Sequence, residues 1–239
     1  MRDSPAHAAY AHVSRGCYPA LVALFTATLI VSNVCATKGV SFCTGSDVRI
    51  GPVQVLPLHT DGAFFLYPLA YVLGDVLSEV YGFRATRRAI YYGFAALALA
   101  AVCFRVAVEL PPAEFYSHQA AFAAVIGTGP RVILASLAGY VVGQLLNALT
   151  MTAIKERTRE RRLWARLIGS TVVGEFADTL VFCAVAAAAI GITTWRDFAN
   201  YATVGFVWKT LVEIAVMPLT YRVIAFVKHR EPTYEPTHA

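Results

Sequence analysis

The sequence predicts an all-α, polytopic membrane protein built as a bundle of six transmembrane helices. Of its 239 residues, 57% are hydrophobic and only 15% are charged, and the mean hydropathy is +0.57. Soluble domains are nearer 45–50% apolar and about 25% charged. A soluble fold of this length cannot bury so much apolar surface, because much of its surface stays exposed. The composition therefore argues against a soluble enzyme, a nucleic-acid-binding domain and a disordered chain.

Six apolar stretches, each bounded by charged residues, are long enough to cross a bilayer, which takes about 20 residues. The first is not expected to be a removable signal peptide, since no small-residue cleavage site follows it. We predict a transmembrane domain at 18–228 between cytoplasmic tails at 1–17 and 229–239, which should be poorly ordered. The six spans are predicted at 18–36, 62–80, 88–108, 131–154, 167–190 and 200–226.

The distribution of basic residues predicts the orientation, because cytoplasmic loops carry an excess of Lys and Arg. Lys209 lies inside the sixth span. Five basic residues lie on the side opposite the N-terminus, namely Lys38, Arg49, Arg105, Arg131 and Arg196. Fourteen lie on the side of the N-terminus: Arg2, Arg15, Arg84, Arg87, Arg88, Lys155, Arg157, Arg159, Arg161, Arg162, Arg166, Arg222, Lys228 and Arg230. Both termini are therefore expected in the cytoplasm.

The segment 37–61 differs from the other loops and should lie on the extracytoplasmic side. Val-containing runs at 39–42 and 48–56 flank Gly45, a pattern typical of a short hairpin or re-entrant excursion. A lid over a substrate path and an inert loop both fit this pattern.

The five cysteines show no C-x-x-C spacing. We expect them to be small buried hydrophobic residues, with a Cys35–Cys43 disulfide as the alternative.

Ionisable residues inside the predicted spans mark the candidate site, because a charge at the centre of a bilayer costs at least ~2.5–3.5 kcal/mol. They form three pairs, and spacings of three or four residues put each pair on one helix face. We expect all six residues to converge in one cavity near mid-membrane. The pairs are Asp75 with Glu79, Glu175 with Asp178, and Lys209 with Glu213.

The five acids outnumber the one base, so some must be protonated, paired with a cation such as Arg88 or Arg166, or available to a ligand. The alternative is a network of interhelical salt bridges, and Lys209 with Glu213 is the pair most open to it. Four other polar or aromatic residues are expected in or at the edge of the cavity: Asn33, Tyr71, Gln144 and Asn147.

A weak sequence similarity between the second and fifth predicted spans indicates two inverted three-helix halves. Gly74-Asp75 precedes Glu79 in the second span, and Gly174-Glu175 precedes Asp178 in the fifth. Inverted repeats with a site near the midplane occur in many transporters.

Several motifs resemble the queuosine precursor transporter family, also called the vitamin uptake transporter or YhhQ family. The most specific is the run from Gly74 to Phe83, Gly-Asp-Val-Leu-Ser-Glu-Val-Tyr-Gly-Phe, in which Ser78 replaces the usual Thr. Further matching segments cover roughly 20–230. They are Asn33–Lys38, Pro68–Tyr71, Arg87-Arg88, Gln144, Asn147, Lys155, Arg166, Gly169–Thr171, Gly174-Glu175, Asp178-Thr179, Lys209, Glu213, Pro218, Thr220-Tyr221 and Lys228.

The resemblance implies an inner-membrane importer of 7-cyano-7-deazaguanine (preQ0), its aminomethyl relative (preQ1), or queuine, for salvage of the modified tRNA base queuosine. It implies a small deazapurine as the partner besides the lipid bilayer, with no nucleic acid, cofactor, metal or catalytic residue. One of Glu79, Glu175 or Glu213, with Glu175 preferred, is expected to accept the amine edge of the base, and Lys209 to balance the surplus negative charge. Monomer and homodimer both stay open.

Two other classes of function remain as alternatives. The chain has no Walker motif, so one alternative is a substrate-binding membrane subunit that needs a separate ATP-driven module. The other is an intramembrane enzyme with paired carboxylates sharing a proton. The residues before Asp75 are Val72-Leu73-Gly74, so the Gly-x-Gly-Asp motif of aspartyl intramembrane proteases is absent.

Overall fold

The computed structural model describes most of the chain as helices, with four short strands in one loop. The described residues are 10–11, 13, 16–46, 48–50, 53–56, 58–127, 130–159, 162–186 and 194–234. In order, the elements are α1 (Tyr18–Cys35), β1 (Gly39–Phe42), β2 (Val48–Ile50), β3 (Val53–Leu56), β4 (Leu58–Asp61), α2 (Tyr67–Glu109), α3 (Gln119–Ile126), α4 (Pro130–Thr158), α5 (Leu163–Ala186) and α6 (Trp195–Arg230).

Within the described residues, five helices are long and apolar enough to cross a membrane: α1, α2, α4, α5 and α6. The class of an all-helical, polytopic membrane protein is thereby confirmed. The count of six spans and the inverted halves are not confirmed. The predicted spans 62–80 and 88–108 both fall in α2, the short α3 was not predicted, and the predicted end of the fifth span at 190 lies outside the described residues.

Helix α2 is 43 residues long, about 65 Å at ~1.5 Å per residue, which is twice the ~30 Å hydrocarbon core of a bilayer. It is broken at Gly82, whose φ of 75° and ψ of 174° are non-helical. A break at this point frees carbonyl oxygens of the preceding turn. Lys155 Nζ donates to the Glu79 carbonyl at 2.5 Å, and the Ala11 amide donates to the Val80 carbonyl at 2.8 Å.

The two segments of α2 on either side of Gly82 are buried differently. From Val72 to Gly82 every residue is buried, as expected of a helix surrounded by protein on all sides. After the break, the buried residues recur every one to four positions along one face: Ala85, Thr86, Ala89, Ile90, Gly93 and Leu97. The segment 67–81 is thus the centre of the bundle, and 83–109 presents its other face outward.

Helices α4 and α5 approach each other closely because glycines face each other across their interface. A Cβ at Gly143 would lie 2.7 Å from Asp178 Cβ, and one at Gly174 would lie 2.7 Å from Asn147 Cβ. Gly139 precedes Gly143 by four residues, so α4 carries the small-xxx-small pattern of tightly packed membrane helices. This packing places the α4 backbone directly against Asp178 of α5.

The predicted hairpin segment contains strands, but they pair differently from the expectation. β1 pairs antiparallel with β4, from Gly39 with Asp61 to Phe42 with Leu58. β2 pairs antiparallel with β3 in a separate, nested two-stranded sheet. Cys35 and Cys43 are both free, so the alternative of a disulfide between them is wrong.

Substituting Gly82 with Ala should destabilise the protein by about 1–3 kcal/mol, because a φ of 75° with a ψ of 174° is a backbone conformation essentially confined to glycine. The new Cβ would also lie 2.9 Å from the Tyr10 ring. Thermal unfolding in detergent measures the effect. Gly205→Ala in α6 is the matched control, since nothing lies within 4 Å of its Cβ position and Ala favours a helix by about 1 kcal/mol. Equal melting temperatures for the two variants would contradict the prediction.

Candidate functional site

Glu79 lies at the centre of a buried charge cluster at one end of the bundle. Its side chain has no exposed surface. Arg166 donates to both carboxylate oxygens, from Nε at 3.1 Å and from Nη2 at 2.8 Å. Lys228 Nζ donates to Oε1 at 2.7 Å, and Lys155 Nζ lies 3.7 Å from the same oxygen. We call Glu79, Lys155, Arg166 and Lys228 the Glu79 cluster.

The Glu79 cluster joins four helices, since its cations come from the last turn of α4, the first turn of α5 and the last turn of α6. The lysines stand at helix C-termini, where the helix dipole favours positive charge. Two tyrosines cover the ammonium groups. Lys155 Nζ lies 4.3 Å from the Tyr10 ring centre and Lys228 Nζ lies 4.8 Å from that of Tyr234, both within cation–π range.

The residues that follow α6 fasten the same end of the bundle. The Tyr81 hydroxyl donates to Glu231 Oε2 at 2.6 Å, and the Cys17 amide donates to the same oxygen at 3.1 Å. Glu231 is buried. The start of α1 and the end of α6 are therefore both tied to α2 beside the break at Gly82.

A second polar cluster lies deeper in the bundle, around Lys209 of α6. Lys209 Nζ donates to Asp178 Oδ2 at 2.7 Å and lies 3.5 Å from Glu175 Oε2. That Glu175 oxygen is buried and has no hydrogen bond. Tyr71 of α2 lies within hydrogen-bonding reach of Glu175. Helices α2, α5 and α6 thus bring two acids, one base and one phenol together.

Asp75 and Glu213 extend this cluster toward the Glu79 end. Asn147 Nδ2 donates to Asp75 Oδ1 at 3.1 Å, and the Thr171 hydroxyl donates to Glu213 Oε1 at 2.5 Å. Both carboxylates line a cavity of about 10 Å³, together with Thr171, Thr220 and apolar side chains. That is the size of one water molecule, far below the ~300–1,000 Å³ of a small-molecule pocket. A planar base therefore needs helix movement to enter.

The amides predicted at the edge of the cavity are placed differently from one another. Gln144 is buried and packs on Gly74, where an added Cβ would lie 2.9 Å from Gln144 Oε1. Asn147 joins the cluster through Asp75. Asn33 does not join it, because its side chain is exposed and its amide donates to the Leu29 carbonyl of its own helix at 3.4 Å. We call Tyr71, Asp75, Gln144, Asn147, Glu175, Asp178, Lys209 and Glu213 the central cluster.

Two expectations about the site need correction. The six ionisable residues do not share one cavity, because the Glu79 carboxylate is held by three cations in a cluster of its own. Asn33 lies apart. The alternative of a Lys209–Glu213 pair is also wrong, since Lys209 pairs with Asp178 and Glu175. Of the two arginines suggested as partners for the acids, Arg166 binds Glu79, whereas Arg88 is exposed.

Sequence reasoning gave no site role to Lys155, Lys228 or Thr171. The lysines counted only toward the cytoplasmic charge excess, although they belong to the motif segments. Longer predicted helices would have included both lysines, because α4 and α6 extend to Thr158 and Arg230. The predicted spans end at 154 and 226, short of both lysines.

The central cluster is rich in hydrogen-bond acceptors. It holds four carboxylic side chains, and among the described residues Lys209 is the cation that contacts them. Ionised carboxylates only accept hydrogen bonds, so the arrangement suits a small molecule with several N–H donors. No group of three or more His, Cys, Asp or Glu residues able to hold a metal occurs in the described parts of the chain. Polar groups enclosed by membrane-spanning helices are typical of a transporter.

Comparison with known proteins agrees with that class. The family described as "Putative vitamin uptake transporter" matches residues 61–223. A "Probable queuosine precursor transporter" of Bacillus subtilis (strain 168) is 33% identical over 157 residues, 65% of this chain and 68% of the relative. The "Queuosine precursor transporter" of Escherichia coli (strain K12) is 23% identical over 183 residues, 77% of this chain and 75% of the relative. No solved structure matches the chain at a significant level.

The chain therefore belongs to the vitamin uptake transporter family, and the resemblance indicated by its motifs is confirmed. It is a multi-pass membrane transporter and not an enzyme.

Substituting Glu79 with Gln should destabilise the protein by about 3–5 kcal/mol, because removing one partner of a buried ion pair leaves uncompensated charge. Thermal unfolding and yield in detergent measure it. Glu156→Gln is the control, since Glu156 is exposed near the end of α4 and surface changes stay within about 0.5 kcal/mol. A melting temperature of Glu79→Gln equal to that of the control would show that Glu79 does not hold these helices together.

Proposed function

We propose that this protein imports queuosine precursors across the inner membrane. The substrates would be 7-deazaguanines, namely 7-cyano-7-deazaguanine, its aminomethyl relative, or queuine. The names of the two relatives support this substrate class. The observation that carries it within the site is the buried Glu175 Oε2, which faces the Lys209 ammonium at an ion-pair distance of 3.5 Å and accepts no hydrogen bond. A buried acceptor that accepts no hydrogen bond suits a ligand that supplies a donor.

The chemistry of a deazaguanine matches an acceptor-rich site. Its ring N1–H and exocyclic amine are adjacent donors, and one carboxylate can accept both. Glutamate and aspartate read amine edges of bases in the same way in nucleic-acid complexes. A site that hydrogen-bonds a polar edge rejects analogues lacking it far better than an apolar pocket does. We assign the recognition of this edge to Glu175.

The other members of the central cluster complete the proposed site. Lys209 offsets the negative charge of Glu175 and Asp178, and its ammonium is a donor for the O6 carbonyl of the base. Asp75 with Asn147, Gln144 and Glu213 form the wall nearer the Glu79 cluster, and Tyr71 offers an aromatic surface beside Glu175. Stacking on such a ring contributes about 1–3 kcal/mol per base. We leave Asn33 out of the proposed site. We assign Glu79 to the end of the bundle at which the substrate path is closed.

We further propose that the chain crosses the membrane six times, with α2 making two crossings that reverse at Gly82. Helix α4 runs in the same direction as the first segment of α2, since Gln144 contacts Gly74 and Lys155 contacts Glu79. Yet the Tyr140 hydroxyl, one turn before Gln144, reaches the Ile90 carbonyl at 3.4 Å. In a straight helix Ile90 would lie about 24 Å beyond Gly74, on the far side of Glu79. Reversal of the chain at Gly82 accounts for both contacts.

This reversal puts the Glu79 cluster at the end where the basic residues are concentrated, which the positive-inside rule assigns to the cytoplasm. Both termini would then be cytoplasmic. The strands of 39–61 would lie on the opposite face.

Substituting Glu175 with Gln should weaken binding of 7-cyano-7-deazaguanine about ten- to a hundredfold, because a donor then meets the N–H groups of the substrate, a mismatch of ~1–3 kcal/mol. Lys209→Met should also reduce uptake by leaving carboxylates unbalanced. The assay is uptake of labelled base by a host unable to make or import it, read as queuosine in its tRNA.

Glu156→Gln is again the control and should import as the wild type does. Wild-type uptake and affinity in both Glu175→Gln and Asp178→Asn would make the central cluster structural and move the substrate site elsewhere. Failure of the wild-type protein to import any 7-deazaguanine would remove the proposed substrate class.

The topology makes a separate prediction about labelling. In a variant without native cysteines, a cysteine at Ser46 should react with a membrane-impermeant maleimide in intact cells, because Ser46 is exposed in the loop assigned to the outer face. A cysteine at the exposed Arg157 should react only after the cells are opened. The reverse pattern would invert the orientation, and reaction of both in intact cells would contradict an odd number of crossings between them.

A further inference from the structure

Buried hydroxyls of this protein normally bond the backbone of their own helix. The threonines of this kind donate to the carbonyl four residues earlier, at 2.8–3.5 Å, as helical threonines commonly do. Thr152, for example, donates to Ala148 at 2.9 Å. The same pattern holds for Thr28, Thr86 and Thr220, and for Ser78.

Thr179 of α5 and Thr210 of α6 depart from this pattern. Their side chains are 7% and 9% exposed, and neither hydroxyl oxygen has a hydrogen-bond partner. Burying a hydroxyl without a partner is unfavourable because its hydrogen bonds to water are lost, and folded proteins contain few such groups. A hydroxyl that forgoes the carbonyl of its own helix therefore calls for a specific explanation.

The two threonines flank the same ion pair. Thr179 follows Asp178 and Thr210 follows Lys209, and the Asp178–Lys209 contact joins the two helices at 2.7 Å. Thr179 is also one turn beyond Glu175, on the same helix face, and Thr210 is three residues before Glu213. Both acids belong to the central cluster, so each hydroxyl is placed one turn from a proposed substrate-binding group.

Each threonine lies farther from the Glu79 cluster than the central-cluster glutamate of its own helix does. Helix α5 begins beside Glu79 with Arg166, and α6 ends there with Lys228. Thr179 is therefore farther from that end than Glu175 is, and Thr210 is farther than Glu213. Within the described parts of α4, α5 and α6, four buried side-chain oxygens lack a hydrogen bond: Asn147 Oδ1, Glu175 Oε2, Thr179 Oγ1 and Thr210 Oγ1.

We propose that the Thr179 and Thr210 hydroxyls bind the imported base and help to determine specificity. This inference rests on the proposed function, and it adds what the carboxylates cannot supply. Carboxylates accept hydrogen bonds, whereas a hydroxyl both donates and accepts. The 7-deazaguanine class carries acceptors, the O6 carbonyl and the ring N3, beside its donors. The hydroxyls donate to these acceptors, so the site recognises both kinds of edge on one flat molecule.

The test replaces each threonine with Val, which keeps the shape and removes the hydroxyl, and with Ser, which keeps the hydroxyl. Affinity of the purified protein for 7-cyano-7-deazaguanine is measured by calorimetry, with melting temperature recorded in parallel. Thr179→Val and Thr210→Val should each bind about tenfold more weakly, the effect of one lost hydrogen bond to a buried acceptor. Both Ser variants should bind within about threefold of the wild type.

Melting temperature separates this role from a structural one. Removing an unpartnered hydroxyl should leave the unliganded protein as stable as the wild type or more stable, so weaker binding without destabilisation is the expected signature. Thr152→Val is the matched control, because its hydroxyl bonds its own helix; it should bind like the wild type.

Wild-type affinity in both Val variants would overturn the inference while leaving the proposed function intact, and so would a loss of affinity that the Ser variants share. If the wild-type protein itself binds no 7-deazaguanine, the proposed function fails and this inference fails with it.

Discussion

The structure depends on a single carboxylate, that of Glu79. Burying a charge costs several kcal/mol unless partners compensate it, and the side chain of Glu79, on α2, is fully buried. Its compensation comes from Arg166, Lys228 and Lys155, on three other helices. Those cations are themselves too costly to bury without Glu79. Helices α2, α4, α5 and α6 must therefore meet at this point, and no one of them can leave without exposing charge to an apolar environment.

The break at Gly82 belongs to the same arrangement. Because the central segment of α2 ends inside the protein, its last carbonyl oxygens need hydrogen-bond donors from elsewhere. The Lys155 ammonium and the Ala11 amide are those donors. Lys155 thus satisfies the helix end and the carboxylate together. One turn earlier on the same segment, Asp75 lies in the central cluster. The fully compensated end and the incompletely satisfied site share one helix, so the first fixes the position of the second.

Composition and spacing were enough to predict the membrane class, most helices and the group of buried acids, because apolar length and the cost of buried charge are local properties. The partners of those acids were not predictable. Lys209 and Glu213 are neighbours on α6, yet Lys209 pairs across to Asp178 on α5, because this pairing depends on how α5 and α6 pack and not on spacing along α6. Likewise Lys155 and Lys228 appeared as loop charges, because hydropathy marks where apolar residues end and not where a helix ends.

The two ends of the bundle differ in what opening them would cost. At one end, separating the helices would strip Glu79 of three cations while all remain in protein, and breaking such a pair costs about 3–5 kcal/mol. At the central cluster a single cation within the described part of the chain, Lys209, contacts the acids, and its pair with Asp178 is less enclosed, with 31% and 23% of the two side chains accessible. Fewer ion pairs hold the described helices together there than at Glu79, so opening at the central cluster is the cheaper movement. Opening past Glu79 requires energy from elsewhere, and a ligand supplies it only by binding more tightly to the open state than to the closed one.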